Sequence, residues 1–464
     1  RSTLFPYTTL FRSSILDLSF FKTNRVEKMD NMFSYCRSLA SLDISSFSTS
    51  LLTSMANMFS TTSSLKSLDL SKFDTTKVTN MAGMFLDSGL ISLDLSSFKT
   101  GQVRDMSNMF AYCGALKSIN FGNNFDTSQV VLISNMFLQC SSLESINLNN
   151  FRTSKVEYMF ALFEGCSSLS SIDVSNFDTS AVISMGNVFK DCINLRNIKI
   201  GSNFITKKVA MMSRMFANCT SLSSLDLSNF DTAQVTTMEQ MFKGCTELVN
   251  LRISQFKGVK LVTMSEMFTN CTKLVSIDLP DFYTPALKSF SNAFSNCKAL
   301  KTLNIKQLIT ASLTQMNNLF INCESLESID LSLFDTTQVT TMESMFSGCF
   351  SLKSLDLSKF KTKNVKKMNS MFKDCRALSK LDLTSFDTRF VDEMSNMFGS
   401  CISLRSLDIS SFDTQQCNKF ENIFEGIEIM DIYINSKLCP NLIDYIPKEV
   451  NVTIHDINEN ELKF

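Results

Sequence analysis

Apolar residues recur along this chain in one fixed order. Between positions 326 and 349 the order is Leu326, Ile329, Leu331, Phe334, Val339, Met342, Met345, Phe346 and Cys349, and Ser, Thr, Asp, Glu and Gln fill most places between them. Two periods are present. Ile329 and Leu331 alternate around Asp330, as in a short strand with one buried face. Val339, Met342, Met345, Phe346 and Cys349 are spaced i, i+3, i+6, i+7 and i+10, which predicts an amphipathic helix with Thr340, Glu343 and Ser344 on its polar side. Phe334, between the two, is expected to plug the turn.

The same order then repeats. Equivalents of Phe346 occur every 25 to 27 residues from Phe33 to Phe424, sixteen in all. A fixed period of this size implies a stacked architecture, each repeat burying its apolar side against the next. The expected fold is α/β: a right-handed, leucine-rich-repeat-like solenoid of about 16 turns, each with one short parallel strand and one helix. Thr336 has a Thr equivalent in every turn but the one holding Gly258, and reads as a helix N-cap. Gly348, and the Gly, Asn or Asp at its equivalents through the nine consecutive turns from Gly165 to Asp374, reads as the helix stop. One-residue insertions at 122–124 and 201–203, and a deletion near Ser88 and Gly89, fall between the expected elements.

The pattern also suggests boundaries. Residues 1–13 do not follow it, and 3–13 read like a translated sequencing adapter, so 1–13 are set aside as non-native. Residues 14–429 form the expected solenoid, a single long domain with its N-terminal cap missing. Residues 430–464 leave the repeat and are expected to cap its last turn.

Charge narrows the partners. With 44 Lys+Arg against 45 Asp+Glu the net charge is −1, which gives no basic footprint for nucleic acid or an anionic membrane surface. No apolar run approaches the eighteen or so residues of a membrane span. Thirteen of the 15 cysteines stand three residues after an anchor Phe. Side chains at equivalent places point the same way, so these are expected to form a ladder of buried, reduced thiols. Cys417 and Cys439 fall outside it and are left open to cross-link.

Little remains to carry chemistry. The only histidine, His455, lies beyond the repeats, and one His supplies neither a His-based metal cluster nor, without a placed nucleophile, a triad. No catalytic residue, metal or cofactor is nominated, and the chain is not expected to be an enzyme. The candidate binding residues are the outward positions of the strand: Ser328, Asp330 and Ser332, then Asp356, Asp382 and Asp408 on the following turns. Earlier rungs alternate in sign, through Asp173, Lys199, Asp226, Arg252 and Asp278. The uninterrupted acidic row has two readings: exposed Asp flanked by Ser keeps a sheet edge soluble, which is the ordinary one, or the row attracts a cation or a basic ligand. Lys359, Lys361, Lys363, Lys366, Lys367 and Lys373 crowd one turn. They form a solvated face or a local contact for an anionic glycan or acidic protein.

The spacing Leu-x-x-Leu-x-Leu is similar to that of leucine-rich repeats. Its continuation at 332–349, Ser-x-Phe-Asp-Thr-x-x-Val-x-x-Met-x-x-Met-Phe-x-x-Cys, resembles the BspA-like repeats first described in association with mycoplasma lipoproteins. The resemblance covers about residues 14–429. It implies an extracellular or surface-anchored protein of bacteria or microbial eukaryotes, linked to adhesion, that binds a protein or glycan on another cell surface. The alternative is a passive stalk presenting a missing domain. Phe stands where plant and animal leucine-rich repeats carry an Asn ladder, so their ligand modes are not carried across.

Overall fold

The computed structural model describes residues 14–18, 20–427, 429–446 and 451–458; the adapter-like segment 1–13 lies outside them. The chain divides into two compact units, Arg1–Leu222 and Ser223–Phe464, and each is built from stacked coils of about 26 residues. In the first, Ser92–Asp94 pairs in parallel with Ser118–Asn120, and Ser171–Val174 with Asn197–Ile200. In the second, Ser224–Asp226 pairs with Asn250–Arg252, Ser276–Asp278 with Thr302–Asn304, and Ser354–Leu355 with Lys380–Leu381. Every residue in these pairs faces the one 26 positions on, so the sequence period is the sheet register. Leu93, Ile172, Leu225, Ile277 and Leu355 point inward and are buried. The stretch 328–330 makes no ladder of its own; there the coil is tied to the next by the Lys353 N–H donating to the Glu327 carbonyl at 3.1 Å.

The predicted helix is absent. Among the described residues the only helical element is the single 3-10 turn Ile443–Tyr445, and the chain is a parallel β-solenoid of about 14 turns in place of the 16 strand-and-helix turns expected. Hydrogen bonds in the Met342 to Cys349 stretch run in two directions. The N–H groups of Met345, Ser347 and Cys349 donate three residues back, to the Met342, Ser344 and Phe346 carbonyls, at 3.2, 3.2 and 3.1 Å. Those of Ser344, Phe346 and Gly348 donate to Asn369, Met371 and Lys373 of the next coil, at 2.9, 2.9 and 2.8 Å. An α-helix would send every one of them four residues back.

The cause lies in two left-handed residues per coil, Ser344 with φ 51° and Gly348 with φ 74°. Each reverses the local hand of the chain, so alternate N–H groups point along the stack. Apolar spacings of three and four suit a helix and this run of turns equally. The distinguishing signal stands two residues before the anchor Phe. Asn31, Asn57, Asn135, Asn187, Asn318 and Asn396 hold that place with φ between 54° and 60°. Asn tolerates this region better than most residues, yet a helix interior has no use for it.

The Thr row caps no helix either. Thr336 Oγ1 donates to the Lys361 carbonyl at 3.0 Å and accepts the Lys361 N–H at 2.7 Å, one coil further on. Thr127 treats Arg152 the same way in the first unit, at 2.9 and 2.6 Å. Both threonines are buried.

Beneath them the anchor phenylalanines stack ring on ring. Centroids are 5.3 to 5.8 Å apart from Phe33 to Phe216 and 5.4 to 5.9 Å apart from Phe242 to Phe424, within the range of offset aromatic pairs. The thiols do form the expected ladder: Cys349 Sγ donates to the Phe320 carbonyl at 3.2 Å and Cys140 Sγ to that of Phe110 at 3.1 Å. All fifteen cysteines, Cys417 and Cys439 included, are buried thiols outside any disulfide. Burial pushes the Cys349 and Cys166 thiols up to about 12.

After residue 428 the strands lengthen. Ile429–Ile434 lies parallel to Ser406–Asp408, and Asn451–Asp456 lies parallel to Ile429–Ile434.

Candidate functional site

With Leu, Phe, Val, Met, Cys and Thr side chains turned inward, the polar rungs beside the strands are left outward. Ser328, Asp330, Ser332, Asp356 and Asp382 are exposed and Asp408 is half-buried. Asp382 and Asp408 face each other across a parallel bridge. Ser354 and Leu355 pair with Lys380 and Leu381, one residue before Asp356 and Asp382.

Each carboxylate has a local task. Asp330 Oδ1 accepts the Ser332 hydroxyl at 2.6 Å and its N–H at 3.1 Å. Asp356 accepts the Ser358 N–H at 2.9 Å, Asp382 the Thr384 N–H at 3.0 Å and hydroxyl at 2.7 Å, and Asp408 the Ser410 N–H at 3.0 Å. This is the Asx-turn, in which a side-chain oxygen takes a backbone N–H two residues on. These bonds hold the carboxyls of Asp330, Asp356 and Asp382 below the usual carboxylate range, the Ser332 hydroxyl acting most strongly on the first and the Ser358 and Thr384 N–H groups on the others. The neighbouring Asp pulls the other way at Asp356 and Asp382.

Where the rungs alternate in sign, they neutralise one another. Lys199 Nζ lies 2.8 Å from Asp173 Oδ2, and Arg252 Nη1 3.5 Å from Asp226 Oδ2. Along the acidic row only Asp330 has such a partner, Lys306 at 3.9 Å; among the described residues Asp356, Asp382 and Asp408 make no ion pair. Two like charges one rung apart repel by about 0.9 kcal/mol in bulk water, so this row is tolerable though not free.

The row continues further than the repeat does. By register Asp408 faces Tyr433, and Tyr433 faces His455. The two rings stack at 4.5 Å, and His455 Nε2 lies 3.1 Å from Asp431 Oδ1. Sequence reasoning left His455 outside any site because the repeat pattern stops before it. The alternation in 429–434 and 451–456 was the available signal that two more strands follow.

Among the described residues no group of three or more His, Cys, Asp and Glu side chains is placed to hold a metal ion, and no helix is long and apolar enough to cross a membrane. Within each unit, coils stacked over an apolar core with an exposed row of strands define a leucine-rich-repeat-like scaffold. The chain belongs to the family described as mycoplasma protein of unknown function, DUF285, whose model matches residues 2–122, 116–198, 187–306, 288–381 and 377–437. The resemblance to BspA-like repeats is borne out by this match.

Solved structures similar to this chain include a leucine-rich repeat protein from Bacteroides ovatus, 19% identical over 84% of this chain and 87% of that one, with a TM-score of 0.48. A leucine-rich cell surface protein from Faecalibacterium prausnitzii is 16% identical over 76% and 85%, with a TM-score of 0.36. A leucine-rich repeat protein from Eubacterium ventriosum is 19% identical over 66% and 82%, also with a TM-score of 0.36. No curated protein matches the chain.

Proposed function

We propose that this protein is a cell-surface repeat scaffold that engages a protein or glycan partner through its exposed strand row, in adhesion to another cell. Membership of a family with BspA-like repeats supports the surface location. The observation that carries the binding role is the run Asp330, Asp356, Asp382 and Asp408, in which three of the four carboxylates lack an ion-pair partner among the described residues, whereas Asp173 and Asp226 are neutralised by Lys199 and Arg252. Weak contacts repeated along such a row, and across many copies on a surface, add to an avidity far above that of any one.

The test uses the full chain, labelled and applied to a printed panel of uncharged and amino-bearing oligosaccharides and to a tethered lysine-rich peptide. A fourfold variant, Asp330→Asn with Asp356→Asn, Asp382→Asn and Asp408→Asn, removes the charge and keeps the Asx-turn acceptor. The parent chain binds at least one probe, more weakly at higher salt, and the variant loses at least about tenfold of that affinity. Equal binding by parent and variant, or no binding by either, contradicts the proposal; the second result favours a passive stalk.

A further inference from the structure

A second place on the molecule departs from the repeat. Lys363, Asn364, Lys366, Phe390, Asp392 and Gln416 line a groove of about 440 Å³ in the unit Ser223–Phe464. It lies in the segment after the Thr row, away in sequence from the strand rungs. Asn364, Phe390 and Gln416 occupy the same place in three successive coils, two residues after Thr362, Thr388 and Thr414. Lys366 and Asp392 occupy another common place, and the Asp392 N–H donates to the Lys366 carbonyl at 2.8 Å. That bond fixes the spacing of Lys366 and Asp392.

Three features set this groove apart. Phe390 is 57% exposed and is the only aromatic residue among the sixteen equivalents of its place, where Lys, Gln and small residues predominate. A single exposed apolar residue is ordinary; this one stands beside two available cations. Lys367 is paired with Glu393 at 3.8 Å and Arg389 with Asp387 at 2.6 Å, whereas among the described residues neither Lys363 nor Lys366 has a carboxylate within ion-pair distance. The third feature is the mixture of acceptors and donors between them, the Asp392 carboxylate and the Asn364 and Gln416 amides.

We propose that this groove binds an acidic saccharide, a sugar bearing a carboxylate or sulfate group. The polarised C–H face of a sugar ring lies on the electron-rich face of Phe390. Its acid group meets the ammonium groups of Lys363 and Lys366, which act as flexible point charges. Its hydroxyls donate to the Asp392 carboxylate and exchange hydrogen bonds with the two amides. An acidic peptide fits less well, because its carboxylates meet Asp392 without hydroxyls to satisfy it.

The experiment titrates the full chain with trigalacturonate, a sulfated disaccharide, hexaglutamate and adenosine monophosphate, by calorimetry at two salt concentrations. Either acidic saccharide binds, and the uncharged trisaccharide of galactose binds at least about tenfold more weakly than trigalacturonate. Phe390→Ala, and the pair Lys363→Ala with Lys366→Ala, each weaken saccharide binding about tenfold or more with melting unchanged, while Lys359→Ala and the fourfold Asp→Asn variant leave it intact. This last control separates the groove from the strand row. Failure of both acidic saccharides to bind, tighter binding of hexaglutamate or the nucleotide, or indifference to Phe390→Ala overturns the proposal.

Discussion

Thr336 Oγ1 lies 3.0 Å from the carbonyl oxygen of Lys361 and 2.7 Å from its amide nitrogen, so one buried hydroxyl satisfies both backbone groups of a residue in the next coil. The exception shows what the row does. At Gly258 a Cβ would lie 2.4 Å from the Thr284 methyl, and the Tyr283 N–H that a hydroxyl would have taken donates to the Asp281 carbonyl instead.

Replacing Thr336 by Val keeps the shape and removes the hydroxyl. Leaving a buried N–H and C=O unsatisfied costs about 1–3 kcal/mol, so Thr336→Val lowers the denaturation midpoint clearly and Thr336→Ser lowers it less. Equal stability of Thr336→Val and the parent would mean the clamp contributes nothing.

The thiol ladder predicts alkaline sensitivity. Burial raises the Cys349, Cys166 and Cys297 thiols from an ordinary value of 9.0 to about 12. A raised value stabilises the fold fully below pH 9, where the unfolded chain is also protonated, and the contribution is lost as pH rises from 9 towards 12. Each such thiol removes about 1.4 kcal/mol per pH unit in that window. Urea midpoints should be flat from pH 7 to 8.5 and fall steeply above 9. Below that pH, a thiol reagent such as dithionitrobenzoate should label the chain only as fast as it unfolds.

The acidic row should tolerate loss of charge. Asn120 and Asn147 already occupy equivalent rungs, and their side-chain oxygens accept the Gly122 and Asn149 N–H groups at 3.2 and 3.1 Å. Asp382→Asn therefore leaves the melting temperature nearly unchanged, and Asp382→Ala lowers it. The depressed Asp330, Asp356 and Asp382 carboxyls contribute above their ordinary value of 3.8. Stability follows the same sign: it is lost only as pH falls through the lower folded values. An acid titration monitored by circular dichroism that shows loss beginning well above pH 4 would contradict this.

Much of this architecture was legible in the sequence, because burial is repeated. Leu326, Phe334, Met342, Phe346 and Cys349 point inward as the 26-residue period required, and the row containing Asp330 points outward. The helix was misread because Val339, Met342, Met345 and Phe346 satisfy two geometries at once, and periodicity reports which side chains face inward without reporting where the N–H groups go. Thr336 was misread for a related reason. A hydroxyl beside a turn suits an N-cap, and only the coil above it reveals the Lys361 backbone as its partner. The Lys363 and Phe390 groove was half legible: the lysines stood out, whereas Phe390 becomes informative only when its coil is stacked on that of Lys366.

Ser344 tests the central claim, that the Val-Met-Met-Phe segment is a run of turns bonded to the neighbouring coil. Its φ of 51° strains a non-glycine residue by about 1–2 kcal/mol. The measurement is the urea midpoint of Ser344→Gly and Ser344→Ala. The structure predicts that Gly raises the midpoint, by about 1 kcal/mol in stability, and that Ala does not. A helix would give the reverse order, Ala above the parent and Gly below it by about 0.5 kcal/mol, and that order would contradict the account.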